Sequence, residues 1–165
     1  MQFFVRHATP DDAAGIVAVF NPIIEDGRFT VFDTPFSVAQ ERAFIENLPP
    51  RSIFHVAVGG GGRILGLQSV APFDSSLNAF SHVATLGTYV DMALQRQGIA
   101  SALYAATFGA ARELGYEKFF TYVRADNEAG LATYLSQGFR IVGTARRQAK
   151  IGGAYIDEIV IEKLL

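Results

Sequence analysis

Two apolar runs, Ile53–Val58 and Ile64–Ala71, are separated only by Gly59-Gly60-Gly61-Gly62-Arg63. Short runs rich in Val, Ile and Leu on either side of a glycine turn form an antiparallel hairpin. That hairpin commits the chain to a sheet that is at least partly antiparallel. The remaining periodic segments arrange themselves around it. Gln2–His7 reads as a first strand. Thr9-Pro10-Asp11-Asp12 is a helix start, with Thr9 able to cap, Pro10 suited to the first turn and two Asp at the positive end of the dipole. Ile16, Val17, Val19, Phe20, Ile23 and Ile24 then recur at helical spacing until Asp26-Gly27-Arg28. Ser37 can cap a second helix, Val38–Leu48, with Glu41 near capping-box spacing and Pro49-Pro50 as a stop.

The second half alternates. His82–Asp91 reads as a strand, Gln97–Leu114 as a helix with Gly115 past its end, and Lys118–Val123 as a strand. Asn127 can cap the helix Glu128–Gln137, which Gly138 ends. Phe139–Thr144 and Tyr155–Glu162 are strands around a Gly152-Gly153 turn. The order is β-α-α-β-β-β-α-β-α-β-β. Three antiparallel connections followed by one β-α-β crossover predict an α/β (α+β) fold with a mixed, mostly antiparallel sheet. Neither a repeat nor a low-complexity linker interrupts it, so residues 1–165 read as a single domain.

Composition narrows the function classes. Fourteen Lys and Arg against 16 Asp and Glu give a net charge of −2, unlike a protein held to nucleic acid by its phosphates. The absence of cysteine removes thiolate metal sites and Cys nucleophiles. His7, His55 and His82 lack metal-ligand spacing, so no metal is expected. Gly59–Gly62 is not a phosphate loop, since no Gly-Lys-Ser/Thr follows it. The longest uncharged runs, Ser75–Val90 and Gln97–Ala111, fall short of a bilayer span, and Met1-Gln2-Phe3-Phe4-Val5-Arg6-His7 is not a signal peptide. The expectation is a soluble cytoplasmic protein without membrane or nucleic-acid partners.

Chemistry concentrates in Tyr89-Val90-Asp91-Met92-Ala93-Leu94-Gln95-Arg96-Gln97-Gly98-Ile99-Ala100-Ser101. A strand ends and a helix begins at residues small enough to leave its free N–H groups open to an anion. Gly98 and Ala100 admit a diphosphate, and Gln95, Arg96 and Gln97 add donors at the rim. Taken alone, Gly98 is equally a helix-start glycine and Arg96 a solvated charge. Gln95-x-x-Gly98-x-Ala100 resembles the Q/R-x-x-G-x-G/A signature of the GNAT superfamily of acyl-CoA-dependent N-acetyltransferases. Thirty residues on, Asn127-Glu128-Ala129-Gly130-Leu131-Ala132-Thr133-Tyr134-Leu135-Ser136-Gln137-Gly138-Phe139 is similar to that family's Asn-headed, Tyr-bearing helix. Phe20-Asn21-x-x-Ile24 resembles the phosphinothricin acetyltransferase-like branch.

The resemblance implies a GNAT-like sheet with helices on both faces and a splay between the fourth and fifth strands that admits acetyl-CoA as co-substrate. The pyrophosphate would sit on backbone N–H groups of Gln97, Gly98, Ile99, Ala100 and Ser101. The pantetheine arm would lie along Thr88, Tyr89 and Val90, with Gly87 marking a bulge that opens the slot and Asn127 contacting the arm. Tyr134 would protonate the leaving thiolate, although Leu131, Tyr134 and Leu135 also have the spacing of a core face. Phe29, Thr30 and Phe32 would line the acceptor pocket, or equally form core or a dimer contact.

The general base is open. The branch carries a Glu on the strand before the Tyr-Val pair, and Thr85 stands there in this chain. Thr85 can hold a water but cannot accept a proton near neutral pH. His82, three residues earlier, and Glu25, at the end of the first helix, are the candidates; Glu25 can also bind a cationic amine. Asp157 and Glu158 on the last strand are weaker ones, and Arg146, Arg147 and Lys150 form a small basic cluster. The expected activity is acetyl transfer to a primary amine of a small molecule, with an amino-acid-like acceptor as first choice and a homodimer by family habit. The alternatives are a protein N-terminal or lysine acetyltransferase, a non-catalytic acyl-CoA-binding module, and an unrelated nucleotide-binding domain with mostly parallel strands.

Overall fold

A computed structural model describes residues 1–165. β1 (Phe3–His7) is followed by α1 (Ala13–Asp26) and α2 (Val38–Glu46), then by β2 (Ile53–Gly59), β3 (Ile64–Pro72) and β4 (Val83–Val90). α3 (Ile99–Glu113), β5 (Lys118–Arg124), α4 (Glu128–Ser136), β6 (Arg140–Ile151) and β7 (Ala154–Leu164) complete the chain. The seven strands form one sheet in the order β1-β2-β3-β4-β5-β7-β6. Every neighbouring pair is antiparallel except β4 and β5. A doubly wound parallel nucleotide-binding domain is thereby excluded. No helix is long and apolar enough to cross a membrane.

The central hairpin is covered on both sides. Phe54, Val56 and Val58 of β2 pack against Ile16, Val19, Phe20 and Ile23 of α1. These helix residues fall at i, i+3, i+4 and i+7, so they form one apolar stripe. Alternate residues of β2 point the other way: Ala57 meets Ile99 and Leu103 of α3, and Ile53 joins a cluster with Tyr104, Phe119 and Phe139. Phe119 is fully buried there, and Phe119→Ala would cost about 3–5 kcal/mol.

The slot for a ligand comes from one break in pairing. β4 and β5 pair only at Val83↔Lys118 and Ala84↔Phe119. Beyond that point β4 follows β3 as far as Val90↔Gly66, while β5 follows β7 as far as Arg124↔Glu158. Residues Thr85–Val90 therefore have a strand partner on one side only.

Four local expectations are corrected. Gly87 is not in a bulge: it pairs with Ser69 in unbroken register, and a Cβ there would lie 3.3 Å from the Tyr89 ring, so the glycine makes room for that side chain. The capping box of α2 uses Gln40, whose Oε1 accepts from the Ser37 N–H at 2.8 Å while the Ser37 Oγ accepts from the Gln40 N–H at 3.1 Å. Glu41, one residue too far along, is instead buried, and burial pushes its carboxyl up. α3 starts at Ile99 rather than Gln97, because Arg96 and Gly98 take positive φ values of 61° and 80°. β6 runs past Thr144 to Ile151, with a register break between Ala145 and Ala149 that absorbs Arg146 and Arg147.

Candidate active site

The turn between β4 and α3 is tightly specified. Asp91 accepts from the Ala93 N–H at 2.9 Å and pairs with Arg63 at 2.6 Å, turning the chain out of the sheet. Gly98 then reverses it in the left-handed conformation that glycine tolerates best. The first bond within α3 runs from the Ala102 N–H to the Gly98 carbonyl at 3.0 Å. The N–H groups of Ile99, Ala100 and Ser101 thus have no acceptor within the helix, and all three residues line a cavity. Arg96 also holds a positive φ, uncommon for a residue with a side chain and typical of a site where geometry is imposed.

A cavity of about 490 Å³ extends from this helix start along β4. Gln95, Arg96, Gln97, Gly98, Ile99, Ala100 and Ser101 line one end of it. Thr88, Tyr89 and Val90 line its strand wall, and Asn127 and Tyr134 its opposite wall on α4. All of the residues expected from the sequence to hold the donor therefore share one cavity. Its size lies within the usual range for small-molecule sites.

A second cavity, of about 360 Å³, opens on the other side of the splay. Phe29, Thr30 and Phe32 form its loop wall, Thr85 and Gly87 its β4 wall, and Thr121, Arg124 and Glu158 its far side. Thr88, Tyr89, Asn127, Gly130, Tyr134 and Phe29 line both cavities, so the two meet at the splay.

The loop at residues 27–36 is held by side chains that reach across from three elements. Arg124 Nη1 donates to the carbonyls of Gly27 at 2.8 Å and Thr30 at 3.0 Å, while its Nε and Nη2 grip Asp126. Asn127 Nδ2 donates to the Phe29 carbonyl at 3.4 Å. Asn21 donates to the Phe36 carbonyl at 2.8 Å and accepts from its N–H at 3.0 Å. Phe20 packs on Tyr89 with ring centroids 4.3 Å apart, and Phe32 and Phe36 pack on Phe20 at 5.3 and 5.9 Å. Sequence reasoning missed Arg124; its signal was a cation at the end of a strand that carries no other charge after Lys118.

Asn127 caps α4 through its Oδ1, which accepts from the Gly130 N–H at 2.9 Å. Its amide lies where a Cβ on Gly130 would have to be, so the Asn requires the Gly three residues on. Tyr134 is 8% exposed and meets the Tyr104 ring edge-on at 5.8 Å. Burial pushes its phenol above the ordinary tyrosine value; the nearby Tyr89 hydroxyl adds to this, and the Thr88 and Tyr104 hydroxyls oppose it. The group is therefore held protonated. Behind it, Gln68 Nε2 donates to Thr88 Oγ1 at 2.7 Å, and Thr88 Oγ1 donates to the Tyr104 hydroxyl at 3.1 Å.

The candidates for a base separate cleanly. Thr85 lines the second cavity, and its hydroxyl donates to Thr121 Oγ1 at 3.3 Å. His82 is not brought to the site. It is exposed at the opposite end of β4, where its carbonyl accepts from the Glu117 and Lys118 N–H groups and the two strands are still paired. Glu25 is exposed on the last turn of α1 and lines neither cavity. Arg146, Arg147 and Lys150 lie on β6 away from both cavities, with Arg147 and Lys150 over the Tyr155 ring.

Residues 5–160 match the family model of an acetyltransferase (GNAT) domain. The chain is similar to a phosphinothricin N-acetyltransferase of Streptomyces coelicolor, 25% identical over 98% of this chain and 95% of that one. It is also similar to the N-alpha-acetyltransferase RimI of Mycobacterium tuberculosis, 31% identical over 78% of this chain and 77% of that one. A solved GNAT superfamily phosphinothricin acetyltransferase from Sinorhizobium meliloti, in complex with AcCoA, shares the fold with a TM-score of 0.89. That likeness, at 19% identity, covers 100% of this chain and 89% of that one.

Proposed function

The chain belongs to the GNAT acetyltransferase family, and from that membership we propose that it moves the acetyl group of acetyl-CoA to the primary amine of a small molecule. The observation that carries this reading is the meeting of two cavities at the splay, one ending on free helix N–H groups and the other walled by an aromatic loop.

The donor fits the first cavity by chemistry. The N–H groups of Ile99, Ala100 and Ser101, with the positive end of α3, suit a diphosphate. The unpaired edge of β4 at Thr88, Tyr89 and Val90 suits the amides of a pantetheine arm, which would add to the sheet like a strand. Asn127 contacts that arm from the opposite wall. The Val90 backbone N–H is the donor assigned to the thioester carbonyl, where negative charge develops during attack.

The acceptor enters through the second cavity, between Phe29, Thr30, Phe32 and Thr85. Its neutral amine attacks the thioester carbon directly, and the chain supplies no cysteine for a covalent intermediate. Tyr134, held protonated by burial, donates its proton to the departing sulfur. Burial beside Tyr134 raises the basicity of the departing thiolate as well, which narrows the gap between the two acids.

A second reading has a specific observation behind it. The relative at 31% identity is an N-alpha-acetyltransferase, so the acceptor amine can also be a protein N-terminus. Calorimetric titration of acetyl-CoA, with adenosine diphosphate as control, tests the donor site; one-to-one binding is expected, and no binding by folded protein would overturn it. Thiol release with L-phosphinothricin, phenethylamine and a peptide bearing a free N-terminal alanine then separates the two acceptors. Turnover of the peptide alone would replace the small-molecule reading.

A further inference from the structure

β7 presents two acids on one face, Glu158 and Glu162, and they differ in one respect. Glu162 pairs with Lys118 at 2.6 Å and with Arg140. Glu158 is 4% exposed and has neither a hydrogen bond nor an ion pair within the chain. It lies opposite Arg124 in the β5–β7 register, yet that guanidinium is spent on Asp126 and on the Gly27 and Thr30 carbonyls. A buried carboxylate without a partner is costly, and such a group is ordinarily retained for a ligand. Neither of its oxygens is sealed from the surface, and its side chain lines the second cavity. No other carboxylate and no imidazole lines that cavity.

Resting on the acetyl-transfer reading above, we propose that Glu158 is the catalytic base, receiving the acceptor as its ammonium in the second cavity and taking one proton from it. The neutral amine then forms the C–N bond as the C–S bond breaks. Tyr134 gives its proton to the sulfur and recovers one from the nitrogen, which still carries an excess proton at that stage. The net proton released by the reaction is the one on Glu158, which passes it to solvent through the open cavity. The carboxylate missing at Thr85 is thus supplied from the other side of the splay.

The surroundings suit the role. The titratable groups that share the cavity with Glu158 are Arg124 and Tyr122 from β5, Tyr89 from β4 and Tyr134 from α4; uncharged Ala145 lies opposite it on β6, and residues 29–32 of the loop carry no charge. Burial pushes the carboxyl up from the ordinary carboxylate range, and Arg124 opposes this in part. A base closer to the working pH takes the proton of an ammonium more readily.

The test compares wild type, Glu158→Gln and Glu158→Asp, with L-phosphinothricin, phenethylamine and the alanine peptide as acceptors. Glu158→Gln should lose about 100-fold in kcat/KM at neutral pH while binding acetyl-CoA within twofold of wild type. Its kcat/KM should climb with pH toward the free amine's own titration, closing the gap near pH 10, and Glu158→Asp should recover part of the neutral rate. Wild-type kcat/KM and an unshifted pH profile in Glu158→Gln would overturn the assignment. Wild type that fails to bind acetyl-CoA would bring down the donor site itself, and this inference with it.

Discussion

The Thr121 hydroxyl donates to the Leu86 carbonyl at 3.0 Å, two residues beyond the last backbone pair between their strands. It is a side-chain rivet where the sheet begins to open. Without it the buried Leu86 carbonyl faces the splay with no donor. Thr121→Val, nearly isosteric, should therefore cost about 1–3 kcal/mol in urea unfolding and weaken acetyl-CoA binding measurably. Thr121→Ser should restore both. Unchanged unfolding and affinity in the Val variant would show that β4 and β5 stay apart for other reasons.

Gly98 gives a sharper probe of the donor site. A Cβ there would meet no protein atom within 4 Å, so Gly98→Ala leaves packing untouched. It does force alanine to a φ of 80°, at a cost of about 1–2 kcal/mol. Gly98→Val adds a branched side chain to the space in front of the Ile99, Ala100 and Ser101 N–H groups. Acetyl-CoA affinity should fall by at least tenfold more in Val than in Ala, while circular dichroism stays native. Equal affinities would place the diphosphate elsewhere.

Much of this was legible in the sequence, for identifiable reasons. The glycine-turn hairpin and the single crossover fix seven strands and four helices, because apolar periodicity and turn residues act locally. The helix-start motif and Asn127 with Tyr134 are local patterns too, and they end up lining one cavity. Arg124 was missed, and Glu158 stood only among the weaker base candidates, because their roles exist only across strands. The sequence shows a charge at the end of one strand and in the middle of another. Only the register Arg124↔Glu158, and the diversion of Arg124 to the Gly27 and Thr30 carbonyls, reveals a carboxylate left alone. His82 misled for the same reason: three residues from Thr85 along β4 is about 10 Å of extended chain, toward the closed end.

Arg124 clamps the acceptor loop while facing the proposed base, so removing it should act twice. Arg124→Met leaves the Gly27 and Thr30 carbonyls without their donor and should raise the acceptor KM about tenfold with little change in acetyl-CoA affinity. It also removes the charge that holds the Glu158 carboxyl down, so the acidic limb of kcat/KM should move to higher pH. A KM effect without the pH shift would reduce Arg124 to a loop anchor.

His55 couples stability to pH. It is buried, its Nδ1 lies 2.9 Å from Thr107 Oγ1, and its ring sits 4.5 Å from that of His7. Burial, with the neighbouring His7 charge, pushes its imidazole down to about 4. The unfolded chain, with an ordinary value near 6.5, binds the proton first. Stability is therefore intact above about pH 6.5 and drains away as pH falls toward 4, by on the order of 2 kcal/mol after allowance for solvent screening. Urea midpoints for wild type and His55→Gln between pH 4 and 7 check this. The variant should lose that part of the slope, and parallel curves would assign the acid sensitivity to other groups.

Tyr134→Phe tests the proposed proton donor. The ring stays, so its edge-on contacts with Tyr104 at 5.8 Å and Phe139 at 5.1 Å are kept, and the fold should survive with a change under about 1.5 kcal/mol. The hydroxyl goes, and with it the proton for the sulfur. Acetyl-CoA affinity should hold within a few-fold, whereas kcat should drop by 100-fold or more with any amine that wild type accepts. The loss should be smaller for an acyl donor whose leaving thiol is more acidic, because a better leaving group needs less help. Tyr134→Phe turning over at the wild-type rate would remove the phenol from the reaction and leave Thr88 or water to protonate the thiolate.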